Sequence, residues 1–309
     1  MVSQPVAPPR PDRRQLLGGI LAIAASAASF GAMPIFARHA YAHGVDTSVL
    51  LSWRFLIAAI VLALVVFARG SAWPRGRQLA GLMAMGGAGY VGQAYCYFSA
   101  LHHAEPGLVA ILLYLYPFFV AVLASRVLRQ PLGLPRWLML GVALTGAVLT
   151  IGGGRGDHLG VMLGVGAAVI YALYIIAGAR LTQGVDAVAA SAVVCGSAAF
   201  VYWGVLGVRV LSGEQLAMPG DAVAWGNVVA IAVLSTAVAV LGFFYGMRMV
   251  GPTAASMLST VEPLFTMVLA WAMLGEAVTA IAALGAALTL AAVLALAWWE
   301  GRRLPGARA

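Results

Sequence analysis

Residues 251–276 read GPTAASMLSTVEPLFTMVLAWAMLGE. From Thr253 to Leu274 the stretch is long and apolar enough to cross a bilayer as one helix. Near its middle it carries a carboxylate, Glu262, followed at once by Pro263. A charge at bilayer depth costs roughly 2.5–3.5 kcal/mol on insertion scales, so Glu262 is expected to face protein or water and not lipid. Pro263 has no N–H, so the carbonyl of Ser259 loses its helical partner and a kink is expected. A polar break at mid-membrane is where transporters place ligand sites.

The surrounding chain is of the same kind. Of 309 residues, 62% are hydrophobic and 9% are charged, and the mean hydropathy is +0.96. That composition excludes an ordinary soluble domain and predicts an all-α polytopic membrane protein. The basic residues are all Arg, a bias with no physical explanation in the sequence. Cys96 and Cys195 both lie inside apolar runs, which points to core packing and away from a disulfide.

Residues 1–15 form a polar, proline-rich tail. Asp12-Arg13-Arg14-Gln15-Leu16-Leu17 has a loose likeness to a twin-arginine signal, but a basic flank on a first membrane helix explains it as well. Ten apolar spans follow, at about 16–37, 47–68, 78–101, 106–125, 135–152, 159–179, 187–208, 224–247, 252–274 and 278–299. Ten crossings put both termini on one side. The tails and connections of that side hold fourteen arginines, and the opposite connections hold only Arg38, Arg155 and Arg209. By the positive-inside rule both termini are cytoplasmic. The net charge of +8 thus serves topology and not nucleic-acid binding.

The chain repeats itself. With an offset of 146, residues 97–131 lie on 243–277: Phe98 meets Phe244, Pro106 meets Pro252, Pro117 meets Pro263, and Val122-Leu123-Ala124 meets Val268-Leu269-Ala270. With an offset of 142, residues 18–38 lie on 160–180, both ending in Ala-Arg. The halves are therefore 16–152 and 159–299, joined by a connector at 153–158 and followed by a C-terminal tail at 300–309. Five spans per half is an odd number, so the second half enters from the opposite face. This predicts an inverted-topology repeat with a site between the halves at midplane.

Taken together, the ten spans in two repeats, the Trp53-Arg54-Phe55 segment and the Glu262-Pro263…Leu274-Gly275-Glu276 pattern resemble the drug/metabolite transporter superfamily, EamA type. The resemblance implies a ten-helix basket around a central cavity, exporting small metabolites or xenobiotics across a bacterial inner membrane. One departure stands out: the first repeat has Arg129-Gln130 where the second has Gly275-Glu276.

Several polar residues qualify as cavity candidates. On the ninth span, Ser259, Glu262 and Thr266 fall within about 60° of one another around the helix, beside Pro263. Tyr114, Tyr116 and Pro117 occupy the matching place on the fourth. The third presents Tyr90, Gln93 and Tyr97 on one face with Gly86, and the first presents Ser26, Ser29, Phe30 and Met33 before Pro34. Tyr171 and Tyr174 on the sixth, and Ser235, Thr236 and Tyr245 on the eighth, rank lower, because hydroxylic residues also serve plain helix packing. Arg54 reads first as structural: it snorkels, or it pairs inside the bundle with a partner the sequence does not name.

Other patterns are weaker. Gly87-Ala88-Gly89-Tyr90-Val91-Gly92 matches a dinucleotide fingerprint literally but lacks its strand–turn–helix setting. His102-His103…Glu105 reads as a solvated turn, Gly152–Gly156 as a flexible connector and Glu276 as a polar turn. No metal or cofactor is implied, and the expected partners are a small-molecule substrate, the lipid bilayer and protons as an optional coupling ion. A secondary transporter is the leading function, and an uncoupled uniporter or channel-like carrier is the alternative. An intramembrane enzyme would need paired catalytic groups in the bilayer, which the sequence does not offer. A C-terminal fusion tests the topology: a fluorescent protein is expected to be bright and alkaline phosphatase inactive. An active phosphatase would overturn the assignment of the C-terminus to the cytoplasm.

Overall fold

The computed structural model describes residues 12–100, 103–104, 106–127, 133–151, 156–274 and 278–302. Among them the regular structure is helical, apart from one isolated bridge between Ala104 and Gly156. The helices are α1 (Arg13–Gly31), α2 (Met33–Ala42), α3 (Thr47–Arg69), α4 (Gly76–Ala84), α5 (Val91–Ala100), α6 (Pro106–Leu113), α7 (Tyr116–Val127), α8 (Leu134–Ile151), α9 (His158–Leu181), α10 (Ala187–Leu211), α11 (Ala222–Ala232), α12 (Ala239–Val250), α13 (Pro252–Leu258), α14 (Glu262–Leu274) and α15 (Ala280–Arg302).

Each span expected from hydropathy coincides with helix. Six helical runs are long and apolar enough to cross a membrane: Arg14–Ala42, Thr47–Arg69, His158–Leu181, Ala187–Leu211, Ala222–Val250 and Pro252–Met273. Shorter apolar helices cover Tyr116–Val127, Leu134–Leu149 and Ala280–Leu296. Three of the expected spans are interrupted. The first breaks at Ala32, just before Pro34, and the fourth and ninth break just before Pro117 and Pro263. The third and eighth stay continuous but pass through π-helical segments, Met85–Tyr90 and Val233–Val238. The Arg129-Gln130 and Gly275-Glu276 turns, the 152–155 stretch, His102 and Glu105 lie outside the described residues.

Helix starts are fixed by aspartate. Asp12, Asp46, Asp157, Asp186 and Asp221 each cap the helix that follows, accepting from backbone N–H groups of its first turn. These are all the aspartates of the chain. Gly70 ends α3 at φ +62°, a left-handed conformation that glycine adopts without a Cβ penalty.

Packing follows small residues. The broadest helix pairs are α3 with α10 and α8 with α15, followed by α1 with α12 and α5 with α9. Glycines set how closely they approach. A Cβ at Gly86 would overlap the Val194 carbonyl and the Ser197 hydroxyl of α10. One at Gly146 would lie 2.6 Å from the Gly285 carbonyl of α15. Ser26 reinforces the α1–α12 contact by donating to the Ala239 carbonyl at 2.7 Å. Overpacking of this kind costs about 1–3 kcal/mol. Gly86→Ala and Gly146→Ala are therefore expected to lower the melting temperature of the purified protein by several degrees. Gly204→Ala, whose Cβ would meet nothing within 4 Å, leaves it unchanged; equal melting of all three would refute the close-approach account.

Candidate functional site

The proline breaks build the site. Pro263 is the second residue of α14, and the three residues before that helix, Ser259–Val261, form a 3₁₀ turn. Pro117 is the second residue of α7, and Tyr114–Leu115 form the turn before it. A proline in the first turn of a helix gives up an N–H that would have had no intrahelical partner anyway. The two breaks touch: the Tyr116 hydroxyl donates to the Ser256 carbonyl at 3.5 Å, and Ser259 comes within hydrogen-bonding reach of the same hydroxyl.

Glu262 opens α14 from this seam, half-buried, with the Tyr114 hydroxyl as its hydrogen-bonding partner. Tyr90, Tyr97, Tyr116 and Tyr171 also lie close enough to sense its charge. From Tyr114 a ladder of aromatic rings runs through the bundle. Tyr114 and Tyr116 are 6.4 Å apart, Tyr116 and Tyr171 4.7 Å, Tyr171 and Tyr174 6.0 Å, and Tyr174 and Tyr90 5.6 Å. Between α1, α9, α12 and the first π segment the ladder borders a void of about 10 Å³ lined by Phe30, Tyr90, Tyr171, Tyr174, Val240, Phe243 and Phe244. That is room for about one water.

Arg54 stands at the other end of the ladder. It sits two turns into α3, is 5% exposed, and forms no ion pair among the described residues. Its Nε donates to the Thr236 hydroxyl at 2.7 Å and one Nη to the Tyr90 hydroxyl at 3.1 Å. The guanidinium carbon lies 4.9 Å from the Phe55 ring centroid and 5.8 Å from that of Tyr90. Cation–π contacts of this kind contribute about 0.5–2 kcal/mol each. Thr236 spends its own proton on the Ile231 carbonyl, five residues back, which closes the π turn. Thr236 and Tyr90 belong to the two different π segments, so one guanidinium joins both.

The sequence candidates divide accordingly. Glu262, Ser259, Pro263, Tyr114, Pro117, Tyr90, Tyr97 and Tyr171 gather around the seam and the ladder. Thr266 turns away: its hydroxyl donates to the Gly31 carbonyl of α1 at 2.9 Å and so ties two helices together. Met33 packs with Trp53, Phe36 and Trp225 in a separate apolar cluster, because the break at Ala32 rotates α2 away from the face of α1. Ser29 and Gln93 are half-buried and bring no hydrogen bond to the cluster among the described residues. Arg54, Tyr116 and Tyr174 lie in the same cluster. The rule that singles out Glu262, a charge inside an apolar span, applies equally to Arg54.

The membrane-edge connections that follow α2, α5 and α10 and precede α9 are tied by charge. His43 meets Asp221 at 2.6 Å, His103 meets Asp157 at 3.1 Å, and Arg209 bridges Asp46 at 3.0 Å and Glu214 at 2.7 Å. The backbone N–H of Gly160 and then His103 hold the Asp157 carboxyl below the usual range. Those of Ala224 and His43 do the same for Asp221.

Comparison with known proteins places this arrangement. Residues 17–152 and 158–298 each match the EamA-like transporter family. The "Uncharacterized transporter YcbK" of Bacillus subtilis (strain 168) is 22% identical over 287 residues, covering 88% of this chain and 90% of that one. The "Uncharacterized transporter sll1319" of Synechocystis sp. is 28% identical over 187 residues, covering 59% of this chain and 56% of the length of that relative. A solved structure titled only as the crystal structure of a protein superposes with a TM-score of 0.78 at 21% identity, covering 92% of this chain and 98% of the other. At that identity the likeness is one of fold.

The capping aspartates give a pH expectation. A carboxyl held below its unfolded value contributes stability that is complete above about pH 3.9 and is lost as pH falls through the folded value. The melting temperature of the purified protein should therefore drop below about pH 4, and the double variant Asp157→Asn, Asp221→Asn should show a shallower drop over that window. Identical acid slopes would mean that these caps carry no part of the acid sensitivity.

Proposed function

The chain belongs to the EamA-like transporter family, and on that premise we propose that it is a secondary transporter exporting small metabolites or xenobiotics across a bacterial inner membrane by alternating access. Glu262 is the coupling group in this reading. The observation that carries it is the placement of a carboxylate at a helix break, hydrogen-bonded by Tyr114 from the matching break of the other half.

Several features support two inverted five-helix halves. The family match itself divides at the connector. Proline breaks occur in the fourth and ninth spans, and π segments in the third and eighth. Exchanging the halves turns the α1–α12 contact into the α9–α5 contact, and both are among the broad ones. With both termini cytoplasmic, the His–Asp and Arg209 pairs lie on the outer side, and the arginine-rich connections lie inside.

Transport then requires the halves to part along the tyrosine ladder. Protonation of Glu262 removes a charge that is expensive to carry through the apolar seam. A deprotonated Glu262 must instead be held by Tyr114 or by substrate. Proton binding and substrate binding are thereby linked at one carboxylate, which is what coupling needs. Nothing in this scheme calls for a cofactor.

A growth screen of an overexpressing strain against amino acids, nucleosides and toxic organic cations should reveal protection or secretion for at least one compound. With that compound in vesicles, wild type is expected to move protons with substrate. Glu262→Gln should bring proton flux to background and remove the pH dependence of uptake. Unchanged flux and pH dependence in the variant would end the coupling role.

A further inference from the structure

We propose that Arg54, together with the Tyr90 hydroxyl beside it, is the binding site for a carboxylate on the transported compound. The proposal deepens the transport reading and rests on it in one respect, that the tyrosine-lined void is where substrate passes.

Arg54 is a permanent cation in the bundle interior, since a guanidinium does not deprotonate in proteins. Such a charge is ordinarily matched by a carboxylate, and among the described residues none is placed to match it. Every aspartate is committed to a helix start. Glu214 pairs with Arg209. Glu262 is engaged by Tyr114 and makes no ion pair with Arg54. The partners Arg54 does have, Thr236, Tyr90 and the Phe55 ring, are all neutral.

Its donors are also underused. A guanidinium carries five N–H groups. Two are engaged, one with Thr236 and one with Tyr90, and the other three find no protein acceptor among the described residues. Paired N–H groups on a planar fork fit the two oxygens of a carboxylate. A single buried cation balances a single negative charge, which favours a carboxylate over a phosphate dianion. Tyr90 fixes the place: its hydroxyl touches Arg54, and its ring lines the void with Tyr171, Tyr174 and Phe244. A ligand with its carboxylate on Arg54 therefore lays an apolar body against aromatic walls.

A purely structural arginine, cementing the two π segments, predicts something different. Its loss would weaken the fold without changing which ligand charge the protein prefers. Charge preference is the discriminating readout.

The test uses the full-length protein in nanodiscs and three matched probes: 3-phenylpropionate, its neutral amide 3-phenylpropanamide, and the cation 3-phenylpropylamine. Charge-assisted hydrogen bonds of this strength correspond to about tenfold to a hundredfold in affinity. Wild type is expected to bind the carboxylate at least about tenfold more tightly than the amide, and the amine more weakly than the carboxylate. Arg54→Gln should erase the preference, Arg54→Lys should keep part of it, and Tyr90→Phe should narrow it. Failure of wild type to bind the carboxylate, tighter binding of amide or amine, or a preference surviving Arg54→Gln would each overturn the assignment. The wild-type probe series decides the matter even where Arg54→Gln does not fold. Flux in vesicles is read separately: a carboxylate preference without flux leaves the site standing and removes the transport reading, whereas flux without a charge preference does the reverse.

Discussion

At bilayer depth no water is present to satisfy a stranded carbonyl or amide, so every backbone polar group has to be satisfied within the protein. Pro117 and Pro263 each delete an N–H in an apolar span, and the chain meets the deficit in the same way twice. It stops the helix two or three residues early, turns, and starts a new helix whose first turn contains the proline. The interruptions are then set against each other, so that Tyr116 from one reaches the Ser256 carbonyl of the other. Polar groups that lipid would penalise face one another across a seam. The chemically distinctive side chains gather where the backbone is irregular because that is where polar groups are tolerated at all.

The family match falls into two segments, 17–152 and 158–298, and their interior charges differ. Tyr116 occupies in the first half the place Glu262 holds in the second. Arg54 lies in α3, while α10, packed against it, has no charged residue before Arg209 near its end. Among the described residues each matched segment thus contributes one interior charge, of opposite sign, with tyrosines between the two. A static bundle would gain nothing from this arrangement, since breaking or stretching a buried pair is strongly unfavourable and apolar replacement of both charges is often neutral or better. Holding two opposite charges on neutral partners keeps each available to something that comes and goes.

Much of this was legible in the sequence because hydropathy and proline are one-dimensional signals. The apolar helices and the breaks before Pro117 and Pro263 follow from apolar run length and from a missing N–H. Ser259 and Glu262 were identifiable from helical periodicity. Thr266 shares the unbroken α14 with Glu262 but spends its hydroxyl on the Gly31 carbonyl, and Met33 lies beyond a helix break. The break at Ala32 swings Met33 into the tryptophan cluster, and the close approach at Gly31 brings its carbonyl to Thr266. The π segments left no signal of their own. Arg54 was visible as a charge, but its partners Thr236 and Tyr90 are distant in sequence, and only the packing of α3 against both π segments makes them neighbours.

The π segments also bear on where the bundle yields. The α8–α15 pair is locked by backbone approach at Gly146, where even a methyl group has no room. Such interfaces move as blocks or not at all. A π turn is the opposite case, a helix carrying one extra residue that can be passed along the ladder at modest cost and is often found at functional sites. Widening a void of about 10 Å³ into a ligand site needs some element beside it to shift. Of the elements bordering it, the segment ending at Tyr90 is the irregular one, and its partner at Thr236 is irregular too. Both are held by the same guanidinium. Any motion that separates them must exchange the Arg54 hydrogen bonds for others, and a ligand oxygen is the acceptor that makes the exchange favourable. Opening and anion capture would then be one event, with Arg54 released from the protein by the group it binds.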